Sequence, residues 1–170
     1  MKKTNLYLLL VLVMPILTSC WETVDPAPLS AYQPILMSRT HLESSIKMLA
    51  PLPIADAGKL YKYGQYILVN ERYKGVHLID NKNPAAPVKL GFIQVPGSVD
   101  FAVKDNVLYV DNAVDLVAID LRDLHTINIR KRVREAFPPL LAPDNLSWFY
   151  DMAGAPKDAV VVGWELRESK

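Results

Sequence analysis

The sequence predicts an all-β protein in which a unit of about 40 residues is repeated, and three observations carry this prediction. Short runs rich in β-branched and aromatic residues recur through the body of the chain. Glycine, proline, asparagine and aspartate separate these runs, as they do between strands. Two of the runs return one unit later with the same order of residue types. The repeat, rather than any single strand, therefore predicts the all-β class.

Two pairs of matched runs define the repeat. Residues 66–70 (YILVN) are matched by residues 107–111 (VLYVD). Residues 76–80 (VHLID) are matched by residues 116–120 (LVAID). The matched runs lie about 40 residues apart, which is the length of one four-stranded blade in a β-propeller.

The remaining strands follow from the matched ones, each unit alternating strands with turns. In the first unit, residues 46–53 and 54–63 lead into the first matched run, and in the second unit residues 88–96 and 97–104 do so. At the far end, residues 146–152 and 159–164 are expected to form the first two strands of a third unit.

The matched runs also carry a family resemblance. VHLID and LVAID resemble the signature of LVIVD-repeat proteins, and the continuation NKNPAAP at residues 81–87 is similar to the proline-rich tail of that repeat. The resemblance covers about residues 45–128. It implies a β-propeller-like fold, found on bacterial envelope or exported proteins whose biochemical role is undefined.

The number of units predicts an open array. The chain supplies about two complete four-stranded blades plus partial ones, whereas propellers close with about four to eight. An open array leaves unpaired sheet edges, which favour association. We therefore expect residues 45–170 to form a partial propeller-like array. Either it self-associates or binds a partner through its open edges, or the chain is a short form of a longer propeller protein, which we favour.

The first 19 residues have the plan of a secretory signal peptide. Lys2 and Lys3 precede an apolar run at residues 6–17. That run has about twelve residues, whereas a helix that spans a bilayer needs roughly twenty. Pro15 lies near its end. Residues 1–19 are therefore expected to be removed on export.

The residues around the predicted cleavage site resemble a bacterial lipobox, with Leu17, Thr18 and Ser19 preceding Cys20. The resemblance implies a diacylglycerol on the Cys20 sulfur and a further acyl chain, such as palmitate, on the new amino terminus. Two or more acyl chains make a stable membrane anchor. Cys20 is the only cysteine in the chain, so an internal disulfide is excluded. Aspartate directly after the lipidated cysteine favours retention in the inner membrane. This chain has Trp21 at that position, which favours the outer membrane.

After cleavage, 151 of the 170 residues remain, and the loss of Lys2 and Lys3 changes the formal charge from +1 to −1. A chain of that charge has no electrostatic reason to bind nucleic acid. Residues 20–44 contain Pro26, Pro28 and Pro34 and are expected to be an extended spacer between the membrane and the folded part.

The candidate binding residues are Asp80, Asp120 and His77. Both aspartates end equivalent strands, so together with His77 they could line a metal site at one opening of the array. The preferred interpretation is that each aspartate binds the backbone of its own turn. No nucleophile elbow, phosphate loop or dinucleotide-binding motif occurs. We therefore predict no catalytic residue, no cofactor and no metal.

The strongest charge cluster comprises Arg130, Lys131, Arg132 and Arg134. Such a run is able to meet phosphate or anionic lipid, although a solvated strand or helix face is the preferred interpretation. The tyrosines clustered at positions 61, 63, 66 and 73 suit either core packing, which we favour, or a sugar or peptide platform.

Three functional hypotheses stay open. The first is a non-enzymatic envelope lipoprotein that binds another protein or a surface glycan. The second is a metal-binding or enzymatic accessory that uses Asp80, Asp120 and His77. The third is a fragment with no role of its own.

Overall fold

The computed structural model describes residues 30–146 and 155–168, which contain eleven strands and one short helix. In chain order these are β1 (Tyr32–Ser38), α1 (Arg39–Ser44), β2 (Lys47–Leu49), β3 (Ala57–Tyr63), β4 (Tyr66–Glu71), β5 (Gly75–Asp80), β6 (Val88–Gln94), β7 (Phe101–Lys104), β8 (Val107–Asn112), β9 (Asp115–Asp120), β10 (Ile129–Val133) and β11 (Ala159–Leu166). The predicted all-β class is confirmed. The predicted signal peptide, the lipobox residues and Cys20 lie outside the described residues.

The strands form three antiparallel sheets. The first sheet has the order β2-β6-β5-β4-β3, the second sheet has the order β10-β9-β8-β7, and the terminal sheet joins β1 to β11. Each repeat unit is therefore a four-stranded meander, and β2 adds a fifth strand beside β6. None of the three sheets closes on itself among the described residues. Nor does that part of the chain contain a helix long and apolar enough to span a membrane.

The repeat extends to the register of the strands. In the first sheet Tyr66 pairs with Asp80 and Leu68 with Leu78; in the second, the matched residues pair as Val107 with Asp120 and Tyr109 with Ala118. Every matched residue therefore points to the matched side of its sheet, because side chains alternate between the two faces along a strand.

One hydrophobic core joins the two repeat sheets. Its central residues, all at most 1% exposed, are Leu68, Val76, Leu78 and Ile93 of the first sheet and Leu108, Val110, Val117 and Ile119 of the second. Strand pairing puts each set on a single face of its sheet. The two sheets therefore meet face to face. Burying each such side chain stabilises the fold by about 1.5–3 kcal/mol.

The connection after β9 departs from its counterpart after β5 without losing the meander. Leu124 and Ile127 occupy the places of Pro84 and Pro87 and pack against the shared core. They therefore tie the second corner to the core by burial, where the first corner has proline-rich turns.

The prediction of an extended spacer is wrong for residues 32–44, because these residues form β1 and α1. Pro34 misleads the sequence argument: it lies in a strand that pairs only with β11 among the described strands, and proline is tolerated on an edge strand. Ser38 caps the helix, its hydroxyl accepting a hydrogen bond from the His41 N–H. Leu42 anchors the helix by complete burial.

The expected third unit is also not what residues 159–164 form. They belong to β11, which pairs with β1 from the other end of the described chain. Their apolar side chains pack in two small clusters, with Leu42 and Ala113 on one side and Ala142 and Tyr73 on the other. Residues 147–152, the other half of the expected unit, lie outside the described residues.

Candidate functional site

Asp80 and Asp120 act as turn residues. The Asp80 carboxylate accepts a hydrogen bond from the Lys82 N–H at 2.8 Å, and the Asp120 carboxylate accepts one from the Arg122 N–H at 3.0 Å. Both are the local side-chain to backbone bonds by which aspartate ends a strand. The preferred interpretation of the two aspartates is therefore confirmed.

The structure does not bring Asp80, Asp120 and His77 together. His77 and Asp80 are three residues apart on one strand and so project from opposite faces. Asp120 lies on the second sheet, on the face turned away from the shared core. In residues 30–146 and 155–168, no three histidine, cysteine, aspartate or glutamate side chains are grouped to hold a metal. The metal-site hypothesis therefore has no ligand set there.

His77 instead forms a buried pair with Glu71 on the outer face of the first sheet. Its Nε2 lies 3.1 Å from a Glu71 carboxylate oxygen, and its ring lies against Phe92. The Glu71 carboxylate also accepts the N–H groups of Ala55 and Asp56. Burial would raise the pKa of Glu71, but these hydrogen bonds hold the pKa below its usual value. The segment before β3 is thus bound to this face.

The basic cluster is largely neutralised by carboxylates of the fold. Arg130 pairs with Asp120 at 2.9 Å, and Arg132 pairs with Asp115 at 2.7 Å. Arg134 pairs with a carboxylate of α1. The side chain of Arg132 is only 14% exposed, so a solvated face is the wrong interpretation for this residue. The cluster is mainly a set of structural ion pairs.

The centre of these ion pairs is Asp115, whose side chain is fully buried. One oxygen accepts from the Arg39 guanidinium at 2.8 Å and from the Glu135 N–H at 3.1 Å, and the other accepts from Arg132 at 2.7 Å. Burial alone would raise the pKa of Asp115, but these donors lower it. Asp115 therefore fastens α1 and β10 to the start of β9.

The second sheet leaves its other face uncovered. We call this the open face; its aliphatic and aromatic members are Ala102, Tyr109, Leu116, Ala118 and Val133, which the strand pairing places on one side. Tyr109 is 37% exposed and Val133 is 42% exposed. By the repeat, Tyr109, Leu116 and Ala118 match Leu68, Val76 and Leu78, which are buried in the first sheet.

The open face contains a hollow beside Tyr109. This hollow has a volume of about 350 Å³, and its lining includes Val99, Ala102 and Phe137. Phe137 is held in place because its N–H donates to the carbonyl of Val114, in the turn between β8 and β9. The hollow is large enough to receive one bulky side chain of a partner.

Charged groups border the open face at the end of β9. Arg122 and Arg130 both donate to Asp120, and the hydrogen bonds from Arg122 hold the pKa of Asp120 far below its usual value. Asp111 and Lys131 also lie on this side of the sheet, opposite Leu116 and Ala118. Apolar residues surrounded by polar and charged groups are the usual anatomy of a protein-binding surface.

Glu71, Asp115, Tyr109 and Val133 are not among the candidate functional residues that the sequence predicts. Glu71 and Asp115 lie next to the matched runs, among polar residues typical of turns, although they are the last residue of β4 and the first of β9. The open face could have been predicted from the repeat itself, because the repeat aligns Tyr109 with the buried residue Leu68. No protein-family model, curated protein or solved structure matches the chain.

Proposed function

We propose that the chain is a lipid-anchored protein of the bacterial cell envelope that acts, without catalysis, by binding another protein through its open face. The anchor is supported by the signal-like residues 1–19 and by the lipobox that ends at Cys20. Trp21 supports the outer membrane over the inner one. The LVIVD-like runs support the same setting and a propeller-like arrangement of the two repeat sheets.

The observation that carries the binding role is the unequal burial of matched residues. Leu68 is completely buried by the second sheet, whereas its match, Tyr109, is 37% exposed. The unit keeps the apolar character of the face in both copies but covers it in only one. An exposed apolar face with a polar rim marks an interaction surface.

The internal contact between the sheets indicates what kind of partner fits. In the first unit this face is covered by aliphatic residues of a neighbouring antiparallel sheet, namely Leu108, Val110, Val117 and Ile119. The partner is therefore a protein that presents an aliphatic sheet face, with one bulky side chain for the hollow beside Tyr109. Hydrogen bonding along a strand edge is not required for this mode of contact.

Site-specific photo-crosslinking in intact cells tests the open face. A photoreactive phenylalanine replaces Tyr109 in one chain and Tyr61 in the control, because these tyrosines are 37% and 38% exposed. We expect a discrete adduct with another protein at position 109 and none at position 61. An adduct of twice the chain's own mass would instead identify a second copy as the partner.

A charge introduced on the open face provides the specificity control. Val133→Glu should abolish the adduct at position 109, because it places a carboxylate among the exposed apolar residues of the open face, on the edge strand β10. Leu90→Glu should leave the adduct unchanged, since Leu90 is equally exposed, at 42%, but lies on the first sheet. Equal yields in the two variants would refute the open face as the binding surface.

Metabolic labelling with a fatty-acid analogue tests the anchor. The unaltered chain should incorporate the label and stay in the membrane fraction, and Cys20→Ala should do neither, because the thiol is the acceptor. Ser19→Ala is the matched control, since it keeps a small residue at the cleavage site. Label in Cys20→Ala equal to that in the unaltered chain would end the lipoprotein proposal.

A further inference from the structure

A cleft separates the terminal sheet from the second sheet. It has a volume of about 620 Å³, and its apolar lining includes Val114, Phe137, Val160 and Val161. Val160 and Val161 belong to β11, whereas Val114 lies in the turn between β8 and β9. Sites for small molecules have volumes of roughly 300–1,000 Å³ and are mainly apolar with a few polar groups. The cleft meets both conditions.

The charged residues that line the cleft carry one surplus positive charge. Arg39, Arg134 and Lys157 are the cations, and Glu135 and Asp158 are the carboxylates. Lys157 makes no ion pair within the described part of the chain. Arg134 is 67% exposed and uses one nitrogen for its pair with Glu43, which leaves further donors on its fork.

Arg39 has a different role from Arg134 and Lys157. Its guanidinium is held by Glu43 at 3.0 Å and by the buried Asp115 at 2.8 Å, so it forms a fixed part of the wall. The donors still available to a ligand are therefore those of Arg134 and Lys157. The two carboxylates, Glu135 and Asp158, disfavour a ligand with more than one negative charge.

We propose that this cleft binds an amphipathic organic monoanion, whose acid group pairs with Arg134 and Lys157 while its hydrocarbon body lies against Val114 and Val160. Arginine and lysine together recognise an acid by charge-assisted hydrogen bonds. The valines favour an apolar body, since burying hydrocarbon is favourable in proportion to its area. This cleft shares Phe137 with the hollow on the open face, but Arg134 and Lys157 line only the cleft, so binding of the acid does not depend on a protein partner.

Titration with octanoate and with 1-octanol tests the proposal on the chain from residue 20 onward, with Cys20→Ala, which keeps every described residue. We expect octanoate to bind at least tenfold more tightly than 1-octanol, because only octanoate carries the acid group. Hexanoate should bind several-fold more weakly than octanoate for each methylene removed. Shifts of the methyl NMR signals of Val114 and Val160 should report the position of the ligand.

The double variant Arg134→Gln/Lys157→Gln separates the charge from the cavity. It should weaken octanoate binding at least tenfold and leave the affinity for 1-octanol unchanged. Both side chains are exposed, so the variant should fold, which its unfolding midpoint checks. The matched control is Lys104→Gln/Lys131→Gln, which removes two exposed lysines outside the cleft lining.

Three results would overturn the proposal: no octanoate binding, equal binding of octanoate and 1-octanol, or unchanged octanoate binding in the double variant. None of them would affect the crosslinking result at Tyr109. Failure of that crosslink would likewise leave the titration result standing. The two proposals are therefore tested independently.

Discussion

The first and second sheets share one register but differ on their outer faces. On the first sheet, Glu71 and His77 pair on the outer face, and the preceding segment donates two backbone N–H groups to the Glu71 carboxylate. On the second sheet, the outer face is the open face, where Tyr109 and Val133 are exposed. The repeat therefore produces two chemically different ends from one plan.

The largest expected difference between the sheets is the cost of truncating matched residues. Leu68→Ala should lower the free energy of unfolding by about 3 kcal/mol, because it leaves a cavity in the shared core. The matched change Tyr109→Ala should cost less than about 1 kcal/mol, since Tyr109 lies on the open face. Urea unfolding of the chain from residue 20 onward, with Cys20→Ala, measures both.

Equal losses of unfolding free energy for the two truncations would contradict the difference between the sheets, because Tyr109 would then be as well packed as Leu68. Leu90→Ala serves as the reference for an exposed aliphatic residue on the first sheet, and its cost should match that of Tyr109→Ala.

The repeat was predictable because it depends on the residue types within each short run. The runs at 66–70 and 107–111 alternate in the same way, and the observed pairings keep their alignment. The turn role of Asp80 and Asp120 was predictable for the same reason, since the bonds reach only two residues along the chain.

What the sequence did not predict depends on contacts between distant residues. Asp115 is held by Arg39, 76 positions away, and β1 pairs with β11 from the other end of the described chain. Neither contact leaves a periodic signal in the sequence. Pro34 even suggested the opposite, because its place at a sheet edge is visible only in three dimensions.

The next expected effect concerns Asp115, the first residue of β9. Its matched residue in the first sheet is Gly75, the first residue of β5. Asp115→Asn should lower the free energy of unfolding by about 2 kcal/mol, because Arg39 and Arg132 lose their shared buried charge. The loss stays below that of a fully buried pair, since both arginines are partly exposed and Arg39 keeps Glu43. Urea unfolding at pH 7 measures the loss.

The cost of Asp115→Asn should also depend on pH. The pKa of Asp115 is lower in the folded chain than its ordinary value of 3.8, so the carboxylate stabilises the fold above that pH. This contribution disappears as the pH falls through the folded pKa. The gap between the two chains should therefore be constant from about pH 5 to 7 and shrink below about pH 4. A gap that grows on acidification would contradict the assigned ion pairs.

The smallest expected effect is at His77 of the first sheet, whose matched residue in the second sheet is Val117. His77→Val should change the free energy of unfolding by less than about 1 kcal/mol, because opposing effects nearly cancel. The ring loses its bond to Glu71, but its buried Nδ1, which has no hydrogen-bond partner among the described residues, no longer has to be desolvated. Glu71 keeps the N–H groups of Ala55 and Asp56. A loss above about 2 kcal/mol at pH 7 would show that the histidine, rather than the backbone donors, holds Glu71 on the outer face.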